Sequence, residues 1–335
     1  MSDANLLEVQ SLYKSFPVKK DSIFGKALTL KAVSNVSLHL KAGETLGIVG
    51  ESGCGKSTLA KTIARLYETN SGNIIFKGED LTLLNQKELR PIRPKIQYVF
   101  QDPYESLNPR HTIGSILEEP FVIHTKMNTE ERKQEAFDLL RKVGLPDSAY
   151  DKYPHEFSGG QRQRIGIARA IALKPELLIC DEPVSALDVS VQSQIINLLI
   201  QLQKEMNLAI LFIAHDLAVV KHISDRINVM YLGSIVESAS SEALFNNPVH
   251  PYTQFLLDAI PKTTPSKKTS RKLISGELPS PIQPPTGCLF NTRCPLANDK
   301  CRQERPAMIK LDNNEHQVAC HLSNESSKQW SPNWD

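Results

Sequence analysis

One stretch constrains this chain more than any other. Gly50 to Ser57 reads Gly-Glu-Ser-Gly-Cys-Gly-Lys-Ser, between the short apolar run Glu44–Val49 and the segment Lys56–Leu66. Gly50, four residues, then Gly55-Lys56-Ser57 is the phosphate-binding loop pattern. The pattern means something only between a strand and a helix. The run before it suits a buried strand, and Leu59, Ile63 and Leu66 after it have helical spacing. Glycines let the backbone fold into a nest whose N–H groups face phosphate oxygens, and the helix N-terminus adds a positive dipole end. The candidate phosphate-contacting residues are Gly50, Ser52, Gly53, Cys54, Gly55, Lys56, Ser57 and Thr58. Lys56 would reach the β- and γ-phosphates, and the Ser57 hydroxyl would ligate Mg²⁺.

Strands and helices alternate along the rest of the chain. Leu6–Phe16 and Thr29–Leu40 read as opening strands, with a basic loop at Pro17–Ala27 between them, and a glycine-bounded strand starts at Gly72. A strand from Ile96 ends at Gln101, after which Pro103 and Pro109 interrupt regular structure. Helices are expected over Thr129–Val143, Arg162–Leu173 (with Ser158 as N-cap) and Val191–Met206. Leu177–Cys180 and Leu208–Ala214 are apolar strands that lead into Asp181-Glu182 and His215. Such alternation predicts an α/β fold with a largely parallel sheet, and ligands bind at the C-terminal ends of such strands. Gln101, Asp181, Glu182 and His215 all fall at such ends.

Composition excludes several classes. With 335 residues there is room for a large domain and an appendage. A net charge of +2 does not argue for nucleic acid. The longest apolar run is too short to span a bilayer, and the N-terminus lacks signal-peptide features, so a cytosolic chain is expected. Of six cysteines, Cys288, Cys294, Cys301 and Cys320 crowd toward the C-terminus. In a reducing compartment such a cluster favours a metal over disulfides.

Two further motifs carry the chemistry. Leu177-Leu-Ile-Cys-Asp181-Glu182 is a Walker B-like segment, in which Asp181 would serve the Mg²⁺ shell and Glu182 would polarise the attacking water. Ser158-Gly159-Gly160-Gln161 is a second candidate anion site at a helix start. One nucleotide needs no second nest within a chain unless the two nests face each other across a dimer. At this point the sequence resembles the ATP-binding cassette family, whose signature is Leu-Ser-Gly-Gly-Gln, with Phe157 here in place of leucine. The resemblance covers roughly the first three quarters of the chain and implies a P-loop ATPase domain with a helical subdomain near residues 102–173. It implies that Phe16 stacks on adenine (Tyr13 being the weaker candidate) and that Gln101 touches Mg²⁺ and the membrane subunit. It places Asp188 in the loop after Walker B, with His215 contacting the γ-phosphate. Lys56, Gln101, Glu182 and His215 become the expected catalytic set.

Narrower motifs resemble the peptide-importer branch: Gln101-Asp-Pro-Tyr-Glu-Ser-Leu-Asn-Pro-Arg110, Tyr153-Pro-His-Glu-Phe157, His250-Pro-Tyr-Thr253, Gly276–Pro285 and Gly287–Pro295. This resemblance implies an ATPase over 1–259, a linker over 260–285 and a cysteine-containing extension over 286–325. It further implies a second ATPase subunit, two membrane permeases and a binding protein that delivers di- or oligopeptides, at the cytoplasmic face of the bacterial inner membrane. Another small solute, such as nickel or glutathione, is the alternative cargo. A soluble cassette ATPase acting on nucleic acid would be expected to carry tandem cassettes or a basic domain, and neither is visible. The four late cysteines could hold a [4Fe–4S] cluster or Zn²⁺, with His316 or His321 able to replace one ligand, and the resemblance favours the cluster. The apolar residues Ile113, Ile116, Leu117, Phe121 and Val122 are expected to line a groove for a permease helix.

Overall fold

The computed structural model describes residues 5–18, 28–260, 278–311 and 315–323. Most of the expected linker and part of the expected basic loop lie outside the described residues. The chain forms two compact units. One comprises Leu40–Thr45 and Phe76–Ile213, with the first residues through Leu6. The other comprises Leu7–His39, Leu46–Ile75 and Ala214 onward.

In the first unit three parallel strands are in register. Ile96–Val99 pairs with Leu177–Asp181, placing Val99 opposite Cys180, and Leu177–Asp181 pairs with Ala209–Ala214, placing Asp181 opposite Ile213. Leu177–Asp181 and Ala209–Ala214 are buried throughout, as strands covered on both faces must be. The helix Val189–Met206 ends on Asn207, which takes the left-handed conformation at φ 50°.

The same unit carries the helical lobe. Its helices Ile113–His124, Thr129–Lys142 and Gly159–Ile171 pack on one another. Asn128 and Glu131 close a reciprocal capping box at the start of the second. Ile113, Ile116, Leu117 and Phe121 form the core of this lobe, each at most 3 % exposed. The expected permease groove is therefore corrected for these four, which are spent on packing. Val122, Ile123 and Tyr104 are the exposed apolar side chains nearby.

In the second unit Thr45–Val49 runs parallel to Arg226–Tyr231, which pairs antiparallel with Ser234–Ser240. Gln317–Val318 then extends this sheet through Glu237 and Ser238, and Ile309–Lys310 adds a last short strand. The C-terminal residues thus complete the sheet that carries the phosphate-loop strand. Buried Glu237 pins them. It accepts the Val249 N–H at 2.7 Å and the His250 N–H at 2.9 Å, and faces His316 Nε2 at 2.8 Å.

Several boundaries differ from the sequence expectations. The helix after the phosphate loop stops at Ile63, and Leu66 lies outside it, 46 % exposed. The strand from Ile96 ends at Val99, before Gln101. Pro103 begins a single helical turn, Pro103–Ser106, capped by Asp102; at the first helical position proline's missing N–H costs nothing. The signature glycines lie inside their helix, which starts at Gly159 rather than Arg162.

Candidate functional site

In the second unit the phosphate loop wraps as its glycines require. Gly55 has φ 107°, and a Cβ there would lie 2.0 Å from the Ala32 carbonyl oxygen. A Cβ on Gly50 would lie 2.1 Å from Met230 O. The loop is also tied from outside: Gly233 N–H donates to Cys54 O at 2.8 Å. Lys56 is buried at the start of the helix Lys56–Ile63 and donates to Gly50 O at 2.8 Å and Glu51 O at 3.1 Å. Burial raises the Cys54 thiol pKa, so this cysteine packs as a neutral side chain.

Phe16 lies in the same unit, half-buried, edge-on to Tyr67 at 5.5 Å between ring centroids and with Lys14 Nζ 4.9 Å away. Tyr13 is more open, 40 % exposed. His215 directly follows Ala209–Ala214 and is exposed, while Asp216 beside it caps the next helix by accepting the Ala218 N–H at 2.8 Å.

The first unit gathers the carboxylates. Asp181 is 3 % exposed and accepts the Tyr98 hydroxyl at 2.7 Å. Glu182 accepts the Gln101 amide at 3.1 Å, which joins two residues that the sequence could only place at separate strand ends. The Glu182 backbone is left-handed at φ 47°, its N–H donating to Ile213 O at 3.0 Å. For a residue with a Cβ that conformation is strained, and strain of this kind concentrates at working sites. Ser185 Oγ donates to Glu182 O at 3.0 Å, and exposed Asp188 stands at the start of Val189–Met206. The structure thus brings Tyr98, Gln101, Asp181 and Glu182 together. Tyr98 was not among the expected residues. Only the parallel register, Tyr98 opposite Ile179, puts its hydroxyl beside Asp181.

The signature residues form a closed helix start. Ser158 Oγ accepts the Gln161 N–H at 3.4 Å, and Gln161 Oε1 accepts the Ser158 N–H at 3.0 Å. Both side chains are exposed, while Gly160 is buried and a Cβ there would lie 2.3 Å from Val191 Cγ1.

All six cysteines are free thiols. Burial raises Cys294 to about 11 and Cys320 to about 12, and the neighbouring thiols add to each; Cys288 is raised as well. The four late cysteines are thus gathered within electrostatic reach of one another. Even so, among the described residues no group of three or more His, Cys, Asp or Glu has an arrangement that could hold a metal ion. The alternative histidine ligands are engaged elsewhere: His316 on Glu237, and His321 Nε2 at 3.0 Å from Glu304 O.

Comparisons with known proteins give the family. Residues 33–185 match the model of the ABC transporter family, and residues 236–301 match that of the oligopeptide/dipeptide transporter C-terminal region. The oligopeptide transport ATP-binding protein AppF of Bacillus subtilis is 54% identical, covering 95% of this chain and 97% of its own. The Escherichia coli protein OppF is 51% identical over 94% of this chain and 95% of its own. Among solved structures, a dimeric ATP-binding cassette in a post-hydrolysis state with ADP and phosphate superposes with a TM-score of 0.63 at 29% identity, covering 70% of this chain and 98% of that one. At about half identity along nearly its whole length with these relatives, the chain belongs to the ABC transporter family as an ATP-hydrolysing subunit, and it carries the C-terminal region of the family's oligopeptide/dipeptide branch.

Proposed function

We propose that this chain energises the import of oligopeptides or dipeptides through a membrane ABC transporter. The observation that carries the reading is identity of about half along nearly the whole length with oligopeptide transport ATP-binding proteins, C-terminal region included. No helix among the described residues is long and apolar enough to cross a membrane. The proposed complex pairs this chain with a second ATPase under two permeases, at the cytoplasmic face of a bacterial inner membrane, supplied by a peptide-binding protein.

The proposed chemistry assigns Gly50, Ser52 to Thr58 and Phe16 to the nucleotide. Ser57, Gln101 and Asp181 are the proposed Mg²⁺ ligands, and the ion would neutralise developing phosphate charge. The fit rests on donor chemistry: a hydroxyl, an amide oxygen and a dry carboxylate suit a hard cation. Glu182 orients the attacking water, with the Gln101 amide fixing its carboxylate, and His215 contacts the γ-phosphate. Ser158 to Gln161, together with Asp188, serve the nucleotide of the partner ATPase. The decisive experiment measures labelled-peptide uptake in cells lacking the chain. Wild-type protein should restore uptake, and Glu182→Gln should restore none while the purified protein keeps ATP binding and loses roughly two orders of magnitude in turnover. Restored nickel or glutathione uptake without peptide uptake would move the reading to the other cargo.

The cysteines belong to a second reading, a [4Fe–4S] cluster with Zn²⁺ as alternative. What supports it is the convergence of four soft ligands in a segment too small to bury much apolar surface alone. Anaerobically purified protein should carry iron and acid-labile sulfide, about four of each per chain; about one zinc per chain would replace the cluster, and metal-free protein would remove both.

A further inference from the structure

We propose that Arg293, in the C-terminal extension, is a positioning residue for the phosphate loop, and that the cysteine turn carrying it thereby sets the affinity for ATP. The inference rests on the ATPase reading. Arg293 forks onto Glu51, the second residue of the phosphate loop, with Nη1 donating to Oε2 at 2.7 Å and Nη2 donating to Oε1 at 2.9 Å. A guanidinium held by two parallel bonds fixes orientation as well as distance. The arginine side chain is 7 % exposed and the glutamate 29 %. Arg293 Nε is buried with no hydrogen-bond partner among the described residues, so Glu51 is the main compensation for burying this charge.

Glu51 is gripped at its other polar groups too. Its N–H donates to the hydroxyl of fully buried Tyr252 at 2.9 Å. Its carbonyl accepts Lys56 Nζ at 3.1 Å and the Cys54 N–H at 3.3 Å. The residue that Arg293 holds is therefore one of those on which Lys56 rests. A displaced Glu51 would carry the start of the loop with it.

The other side of the clamp is equally fixed. Arg293 sits in a turn in which the Arg293 and Cys294 N–H groups both donate to Phe290 O, at 3.0 and 2.9 Å. Phe290 is 1 % exposed and packs against Tyr231, Tyr252, His250 and Phe255, with centroids 5.3 to 6.1 Å apart. Cys288 opens this turn, its N–H donating to Cys301 O at 2.8 Å. Two of the four cysteines thus bracket the residue that reaches the phosphate loop, and the same phenylalanine touches the tyrosine that holds Glu51 from behind.

The test measures KM and kcat for ATP in the assembled transporter. Arg293→Met should raise KM about tenfold while kcat falls less than about twofold, because Glu182 and its partners are untouched. Arg293→Lys, which keeps charge but not the fork, should fall between. Glu51→Gln should raise KM similarly, and the double variant with Arg293→Met should be no worse than the worse single, as expected of one shared interaction. If Arg293→Met does not fold, Glu51→Gln and Arg293→Lys decide. An unchanged KM in folded variants, or a loss confined to kcat, overturns the proposal. Wild-type complex that does not hydrolyse ATP would instead defeat the ATPase reading on which it rests.

Discussion

Two helix starts in this molecule look alike in sequence and differ in how they are finished. Gly55 at the head of Lys56–Ile63 has no side chain to cap with, and its backbone sits at φ 107° against Ala32 O. Ser158 at the head of Gly159–Ile171 closes a full capping box with Gln161. The first start depends on distant backbone and on Lys56 lodged against Gly50 and Glu51 carbonyls. The second is complete within four residues. A helix end finished by the fold is left to a ligand, and it is costly to alter. A helix end finished by its own side chains is complete without one.

The largest expected effect lies at the open end. Gly55→Ala should weaken ATP binding by roughly two orders of magnitude, read by titration with a fluorescent nucleotide, since neither the φ nor the contact admits a Cβ. Binding at wild-type strength would break the comparison.

A third helix start gives the next effect. His250 caps Pro251–Asp258 with Nδ1 accepting the Tyr252 N–H at 3.1 Å, which requires a neutral ring. Burial pushes its pKa down to about 4, against a weak upward pull from Glu237. A folded pKa below the unfolded value of about 6.5 means that the unfolded chain binds the proton first. Stability from this group is thus present above pH 6.5 and is lost as pH falls toward 4, by roughly 2 to 3 kcal/mol. Denaturant melts across that window should show the loss, and His250→Asn should flatten it; an equally steep profile in the variant would assign the loss to other groups.

Smaller effects sharpen the closed end. Ser158→Ala should cost about 1 kcal/mol in urea unfolding, the usual value of an N-cap. Gly159→Ala should change stability by less than about 0.5 kcal/mol, because its Cβ would meet Leu187 at an ordinary 3.4 Å and no unusual φ is involved. A large loss from Gly159→Ala, comparable with that from Gly55→Ala, would erase the distinction between the two starts.

Much of this was legible along the chain. The phosphate loop, the Asp181-Glu182 strand end, the Ser158 cap and the helix Thr129–Lys142 are local patterns, and each formed within a few residues of its expected place. The helix Ile113–His124 was not read as one, because Gly114 and Pro120 interrupt its signal; the surrounding lobe overrides that propensity. The strands Arg226–Tyr231 and Ser234–Ser240 carry too little signal of their own: the first is too short to declare its period, and the second mixes Ser and Glu with apolar residues yet is almost wholly buried.

What the sequence alone determined about this protein is local: which glycine-rich turn joins a strand to a helix, which carboxylates end a dry strand and which side chains cap which helix. These depend on spacings of a few residues, where backbone geometry leaves few options. What only the tertiary structure decided is company. Tyr98 meets Asp181 through strand register, and Arg293 meets Glu51 across 242 positions of sequence. A long-range pair leaves no periodic trace in either partner's neighbourhood. It exists because burying a charge or a hydroxyl costs free energy until a partner is found, and only the packed chain shows which partner is within reach.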